Sequence, residues 1–184
     1  NYKIMSALEH GHHKETFITK YIFSYDHKMI AKQYLITGMV MGIVGILLSI
    51  LFRMQIAWPE ESFGIFKFLL GEKFAPGGVM RQDIYLALVT IHGTIMVFFV
   101  LTAGLSGTFS NLLLPLQIGA RDMASGFMNM LSYWLFFLSS AIMLGSLFVE
   151  SGPAAAGWTI YPPLSALPQA IPGSGLGMTL WLVS

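Results

Sequence analysis

"YLITGMVMGIVGILLSILF", residues 34–52, is a run of 19 uncharged residues. A helix of this length, rising about 1.5 Å per residue, crosses a hydrocarbon core of roughly 30 Å. The run therefore predicts a transmembrane helix. Gly38, Gly42 and Gly45 recur at spacings of four and three residues, which places them on one helix face and predicts close packing against a second helix.

The composition of the whole chain is typical of a membrane protein. Of the 184 residues, 55% are hydrophobic and 10% are charged, and the mean hydropathy is +0.68, far from the averages of soluble domains. A net charge of +1 without a basic stripe excludes a nucleic-acid partner. The absence of cysteine excludes disulfides, thiolate metal sites and covalent haem attachment through C-x-x-C-H.

Three more apolar stretches predict the remaining helices. We expect spanning helices over residues 84–113 and 123–149, and a fourth helix from residue 175 onward. Asn111 and Pro115 are expected to mark the end of the second helix. The predicted fold is thus an all-α integral membrane helix bundle with three full helices and the start of a fourth.

The segments between these helices carry most of the charges. Residues 1–33 contain five lysines and predict a polar N-terminal tail, and residues 53–83 predict a connection outside the membrane. Because the tail and Arg121 concentrate basic residues on one side, the positive-inside rule places the N-terminus on the cytoplasmic side. The chain starts without methionine and stops within an apolar run, so we expect it to be a fragment of a larger protein.

His92 lies within the apolar stretch "LVTIHGTIMVFF", residues 88–99. Burial of an ionisable side chain in a membrane costs several kcal/mol, which makes it a functional hypothesis by default. Gly93 and the neighbouring aliphatic residues suit a porphyrin, and imidazole is a common axial ligand of haem iron. A proton relay and a structural, packed histidine remain alternatives.

The predicted topology separates His92 from a second candidate. Arg53 follows the first helix at the outer face, in the same half of the membrane as His92, whereas Asp122 follows the second helix at the inner face. One metal site and one carboxylate on opposite sides suggest redox chemistry coupled to vectorial proton movement. The alternatives are an interfacial anchor for Arg53 and Trp158, and a surface ion pair between Arg121 and Asp122.

Several stretches together resemble a known family. They follow one another in the order "DHKMIAKQYL", "LFRMQIAWP", "IHGTIMVFF", "FSNLLLPLQIGARDM", "MNMLSYW" and "GWTIYPPLS". In these pieces the chain resembles the N-terminal third of subunit I of the haem–copper terminal oxidases, over residues 26–184. The resemblance implies a roughly twelve-helix parent subunit.

The resemblance implies a haem environment around three residues. His92 matches the histidine that forms one axial bond to the iron of the low-spin haem. Arg53 matches an arginine near the edge of that haem, and Trp158 matches a tryptophan near its propionates. The haem is expected to be haem A. A second haem and copper belong to the parent subunit, but this segment does not ligate them.

The resemblance also implies a proton-uptake pathway. Asp122 matches the aspartate at its mouth, and Asn111 and Asn129 match asparagines that line it. The chain departs from the family in having Arg121 before the aspartate, where a proline is usual, and Met130 where a second asparagine is usual.

The implied function is that of a terminal respiratory oxidase, specifically cytochrome c oxidase, which transfers electrons through the low-spin haem to a haem–copper centre. There oxygen is reduced to water, coupled to proton pumping; the fragment alone is not catalytically complete. The implied partners are other oxidase subunits, cytochrome c and the lipid bilayer, in the bacterial cytoplasmic membrane. Ile84 replaces a histidine typical of quinol-oxidising members, which favours cytochrome c as donor. The alternatives are a quinol-oxidising member and a cofactor-free, proton-coupled transporter.

Overall fold

The computed structural model describes residues 16–167, 169–171, 173 and 175–184. All regular elements among these residues are helical, which confirms the predicted all-α class. A short π-helix precedes helices α1 to α5, which span His27–Ala57, Gly64–Phe74, Gln82–Gln117, Gly126–Ser146 and Leu176–Val183. In the described part of the chain, α1, α3 and α4 are long and apolar enough to cross a membrane.

Helix α1 begins at His27, inside the stretch predicted to be a polar tail. The cause is a side-chain cap, because Asp26 has extended backbone angles and its carboxylate accepts a hydrogen bond from the Lys28 amide at 3.2 Å. With 31 residues, α1 is about 46 Å long and extends beyond a hydrocarbon core of roughly 30 Å. Residues 1–15 of the predicted tail lie outside the described residues.

Helix α3 continues past the end predicted near residue 113 and includes Asn111 and Pro115. A proline in the last turn removes a single intrahelical hydrogen bond, so the helix can run on to Gln117. In its middle, over Ile95–Leu105, the backbone widens to π-helical hydrogen bonding, beginning three residues after His92. Such π segments are rare and often lie beside functional sites.

The other helices also differ in extent from the predictions. Helix α2 forms within the predicted connection, with Phe66 buried and Phe68 85% exposed. Helix α4 begins after Ser125, whose hydroxyl accepts a hydrogen bond from the Met128 amide. Residues 123–125 therefore lie outside the helix, contrary to the prediction. In the proline-rich stretch after α4, the described residues form turns and bends and lead into α5.

Glycines bring α1 and α3 together as antiparallel neighbours, as the spacing in α1 predicts. A Cβ built on Gly38 would lie 3.0 Å from the Cα of Gly104, so the two backbones are in direct contact. Helix α4 packs parallel to α1, where Tyr34 and Ser132 hydroxyls are 3.0 Å apart. The apolar core between the spanning helices includes Ile30, Met41, Ile84, Ile91, Ile95, Phe99 and Met143.

Gly104→Ala should destabilise the bundle by ~1–3 kcal/mol, the usual cost of overpacking. The added Cβ would lie 2.8 Å from the Phe99 carbonyl oxygen and 3.1 Å from the Cα of Gly38, and neither backbone atom can rotate away. The matched control is Gly145→Ala on α4, where the added Cβ would have no described atom within 4 Å apart from its chain neighbours and its own helix backbone. Thermal unfolding in detergent, followed by circular dichroism, compares them. An equal loss in both variants would contradict the proposed contact.

Candidate functional site

His92 lies on α3 and hydrogen-bonds to α1. Its Nδ1 is 2.8 Å from the carbonyl oxygen of Gly45. Because a carbonyl only accepts, Nδ1 carries the hydrogen, and in the neutral tautomer that this bond selects Nε2 has the lone pair. The ring of Phe52 packs edge-on at 5.4 Å and helps to set the orientation of the imidazole. Among the described residues, none hydrogen-bonds to Nε2, so His92 presents the free nitrogen that a metal-ligating histidine requires.

Gly45 permits this hydrogen bond because it has no side chain. A Cβ at this position would lie 2.8 Å from the sulfur of Met96 and 3.2 Å from a methyl carbon of Ile95. A larger residue would therefore displace the Met96 side chain and crowd Ile95 at the level of His92. The glycine that the sequence predicts for helix packing thus also positions the candidate ligand.

Trp158 lies against the turn of α3 that carries His92. Its indole Nε1 donates to the Thr94 hydroxyl at 3.0 Å, and a Cβ on Gly93 would be 3.5 Å from its ring. The Thr94 hydroxyl accepts a second indole N–H, from Trp181 at 3.0 Å, and donates to the Thr90 carbonyl at 2.8 Å. This single buried hydroxyl ties the loop after α4 and helix α5 to α3.

Arg53 lies at the same end of the bundle, one residue after the phenylalanine that packs on His92. Its side chain is exposed, and its Nε donates to the Ser49 hydroxyl at 3.0 Å. In the described part of the chain it makes no hydrogen bond to the His92 ring. Arg53 is therefore near the candidate ligand in the fold but not bonded to it.

Asp122 lies at the opposite end, in the connection between α3 and α4. Its carboxylate oxygen Oδ1 is 3.0 Å from Nδ1 of His27 and 3.4 Å from the His27 amide nitrogen. It also accepts from the Met123 amide at 2.7 Å. The described residues contain no ion pair between Asp122 and Arg121. The alternative of a surface ion pair between these two residues is therefore wrong for this structure.

The surroundings of Asp122 favour its ionised form. Partial burial is the largest influence and raises the pKa, but the hydrogen bonds from the Met123 amide and from the ring and amide of His27 together outweigh it. The pKa of Asp122 is therefore lowered from its usual value. Its side chain is 49% exposed, which leaves this carboxylate accessible to water.

Asn111 and Asn129 each keep one polar group without a partner. The Asn111 amide nitrogen donates to the Gly107 carbonyl at 2.7 Å, whereas its buried side-chain oxygen has no partner in the described part of the chain. The side-chain nitrogen of Asn129 is also buried without one. Buried groups of this kind are commonly satisfied by internal water.

Sequence reasoning did not find His27, Thr94 or the carbonyl role of Gly45. His27 lies in a stretch that its lysines mark as a polar tail, and only the fold brings it to Asp122. A threonine in a helix is common, and nothing in its spacing indicates that two tryptophans converge on Thr94. The "DH" at residues 26–27 could have suggested that His27 lies near a carboxylate, but nothing in the sequence indicates that this carboxylate is Asp122.

Comparison with known proteins now decides the family. Residues 29–184 match the family model of cytochrome c and quinol oxidase polypeptide I. The chain belongs to this family. It is 40% identical over 173 residues to the alternative cytochrome c oxidase subunit 1 of Bradyrhizobium diazoefficiens, an alignment that covers 94% of the chain and 27% of that protein.

Two further relatives support the assignment to the oxidase polypeptide I family. Cytochrome c oxidase subunit 1 of Cereibacter sphaeroides is 34% identical over 175 residues, covering 85% of the chain and 30% of that protein. The heme-copper oxidase subunit I+III of Aeropyrum pernix is 37% identical over 162 residues, covering 88% and 18%. The chain thus spans less than a third of the length of these relatives. Together with the three apolar helices, the family confirms an integral membrane protein.

His27→Ala should raise the pKa of Asp122. The substitution removes the ring hydrogen bond that favours the carboxylate, while the Met123 amide and the His27 backbone amide remain. The carboxyl should then begin to protonate at a higher pH than in the wild type. Titration of the Asp122 carboxyl by carbon NMR, assigned with Asp122→Asn, measures this shift.

The control for this titration is Lys32→Ala, which removes an exposed charge from the same helix without touching the carboxylate. A pKa that stays at the wild-type value in His27→Ala would show that the histidine ring does not stabilise the ionised aspartate.

Proposed function

We propose that this chain is part of the catalytic subunit of a terminal respiratory oxidase that reduces oxygen to water and pumps protons. In this proposal, His92 is one axial ligand of a low-spin haem, and Asp122 is the proton-uptake group. The single observation that carries the proposal is the hydrogen bond from His92 Nδ1 to the Gly45 carbonyl, which leaves Nε2 free. The relatives named as oxidase subunit 1 support the same reaction.

The residues around His92 fit a haem, which in this proposal is haem A. A neutral imidazole with its tautomer set by a backbone carbonyl is a good ligand for iron, and Phe52 and Ile95 provide apolar surroundings. When bound, such a haem accepts and passes on single electrons. The second haem, the copper and their ligands belong to parts of the subunit beyond this chain.

Arg53 and Trp158 have supporting roles in the proposal. The Arg53 guanidinium uses one N–H group in its bond to Ser49, and its other four remain available as donors. They suit a carboxylate or carbonyl group at the edge of a macrocycle. Trp158 is held beside Gly93 by its bond to Thr94, so it closes the side of the site formed by the loop after α4.

Asp122 gathers protons in the proposal. It is held by His27 and Met123 and half exposed at the end of the bundle away from His92. The unpartnered side-chain atoms of Asn111 and Asn129 provide places for water on α3 and α4, the two helices that Asp122 connects. Met130 stands where the family usually has a second asparagine, and Arg121 stands where it usually has a proline. Asn111 and Asn129 are therefore the polar lining that this chain supplies in the proposal.

Cytochrome c is the proposed electron donor, and other oxidase subunits are the proposed partners. The names of the bacterial relatives support this choice. Ile84, at the position of the histidine typical of quinol-oxidising members, is 1% exposed and belongs to the apolar core. It offers no hydrogen bond to a quinol headgroup.

His92→Ala should abolish the low-spin haem band in the reduced-minus-oxidised visible spectrum of the parent oxidase. The substitution removes the imidazole but leaves Gly45 and the helix contact in place. His27→Ala is the matched control, because it removes a histidine from the other end of the bundle. A normal spectrum in His92→Ala, or no haem in the parent protein, would instead favour the cofactor-free transporter.

Asp122→Asn should slow proton uptake at least tenfold, because a neutral amide cannot carry a proton between water and the interior. The haem spectrum should be unchanged, since Asp122 lies at the other end of the bundle. Stopped-flow measurement with a pH dye on the parent oxidase in vesicles tests this. Wild-type uptake and pumping in this variant would refute the role of Asp122.

A further inference from the structure

A cavity of about 520 Å³ lies at the end of the bundle where α1 ends. Its volume falls within the roughly 300–1,000 Å³ of small-molecule sites. Helices α1, α2 and α3 and the segment after α4 surround it, and its deep wall is entirely apolar. That wall includes Val44, Leu48, Leu51, Leu70, Ile84 and Leu88.

A second, polar cavity of about 330 Å³ adjoins the first. Both are lined by Lys73, Phe74 and Glu150, and Arg81 lines the polar one. These residues lie where α2 ends, where α3 begins and just beyond α4, which is the level at which lipid headgroups meet a spanning bundle. The two cavities together are amphiphilic, with the apolar part deeper among the spanning helices.

The polar cavity offers one cation and one anion to a ligand. The Lys73 ammonium donates one of its three hydrogens, to the Glu150 carbonyl oxygen at 2.7 Å, and two remain. The Glu150 carboxylate has no ion-pair partner among the described residues. Arg81 is already paired with Asp83 at 2.5 Å, so it adds little net charge.

We propose that the two cavities bind a phospholipid whose zwitterionic headgroup ends in a primary ammonium, as in phosphatidylethanolamine. One acyl chain lies along Val44, Leu48 and Leu88, the phosphate binds Lys73, and the ammonium binds Glu150. A quinone would need hydrogen-bonding groups in the deep cavity, and its wall has none at Ile84 or Leu88. An anionic lipid would meet the uncompensated Glu150 carboxylate. The proposal does not depend on haem binding.

The experiment uses the parent oxidase complex in nanodiscs. Phosphatidylethanolamine with a photoreactive diazirine in one acyl chain is irradiated, and labelled peptides are mapped by mass spectrometry. We expect labelling at residues 44–51 and 84–88, and about tenfold less in Lys73→Gln and in Glu150→Gln, the factor for one charge-assisted hydrogen bond. Val44→Phe should lower it by filling the cavity.

The matched control is Lys67→Gln, which removes the same charge from α2 at a residue that pairs with Glu72 and lines neither cavity. Its labelling should equal the wild type. Equal or stronger labelling by a diazirine phosphatidylglycerol, labelling by a photoreactive quinone, or no labelling at 44–51 and 84–88 would each overturn the proposal. Haem content, measured in every variant, separates this result from any failure at His92.

Discussion

The close approach of α1 and α3 is the constraint on which the rest of the structure depends. Three glycines of α1 meet α3 in antiparallel order, Gly38 against Gly104, Gly42 against Val100 and Gly45 against Met96. In a membrane the hydrophobic effect does not drive helices together, so close packing and hydrogen bonds must do so. The same approach brings the Gly45 carbonyl within 2.8 Å of His92. Helix packing and the candidate ligand therefore have one physical cause, and a change at Gly45 affects both.

The two ends of the bundle differ in how their polar groups are satisfied. Near His92, the imidazole and two tryptophans bond to specific neighbours, since His92 bonds to the Gly45 carbonyl and both Trp158 and Trp181 bond to Thr94, and Phe52 and Ile95 add apolar surroundings. Near Asp122, buried atoms of His27, Asn111 and Asn129 have no partner among the described residues, and such groups call for water. Apolar surroundings suit a group that exchanges electrons, and unpartnered polar atoms that can hold water suit a group that exchanges protons. This contrast supports the division of roles that we propose.

The sequence predicts the helices well because lipid imposes a length and an uncharged composition that can be read directly. It predicts their ends less well, because ends depend on caps. Asp26 and Ser125 each start a helix through one side-chain hydrogen bond, and Pro115 does not end α3 because it lies in the last turn. His92 and Asp122 can be recognised as candidates in the sequence because they are ionisable residues inside or at the end of an apolar stretch. Their partners cannot, because His27 is 95 residues from Asp122 along the chain and Gly45 is 47 from His92.

Both of these partners lie on α1, which gives that helix a role that its own sequence does not reveal. His27 and Gly45 are separated by 18 residues of continuous helix, or about 27 Å, most of the roughly 30 Å of a hydrocarbon core. At that distance neither candidate site can contact the other. Any coupling between them has to pass through packed elements that both sites touch, and α1 is one continuous element that hydrogen-bonds to both. A variant that tilts α1 at the Gly38–Gly104 contact would therefore change the hydrogen bonds at His92 and at Asp122 together, whereas removal of the His92 or the Asp122 side chain alone would leave the other site intact.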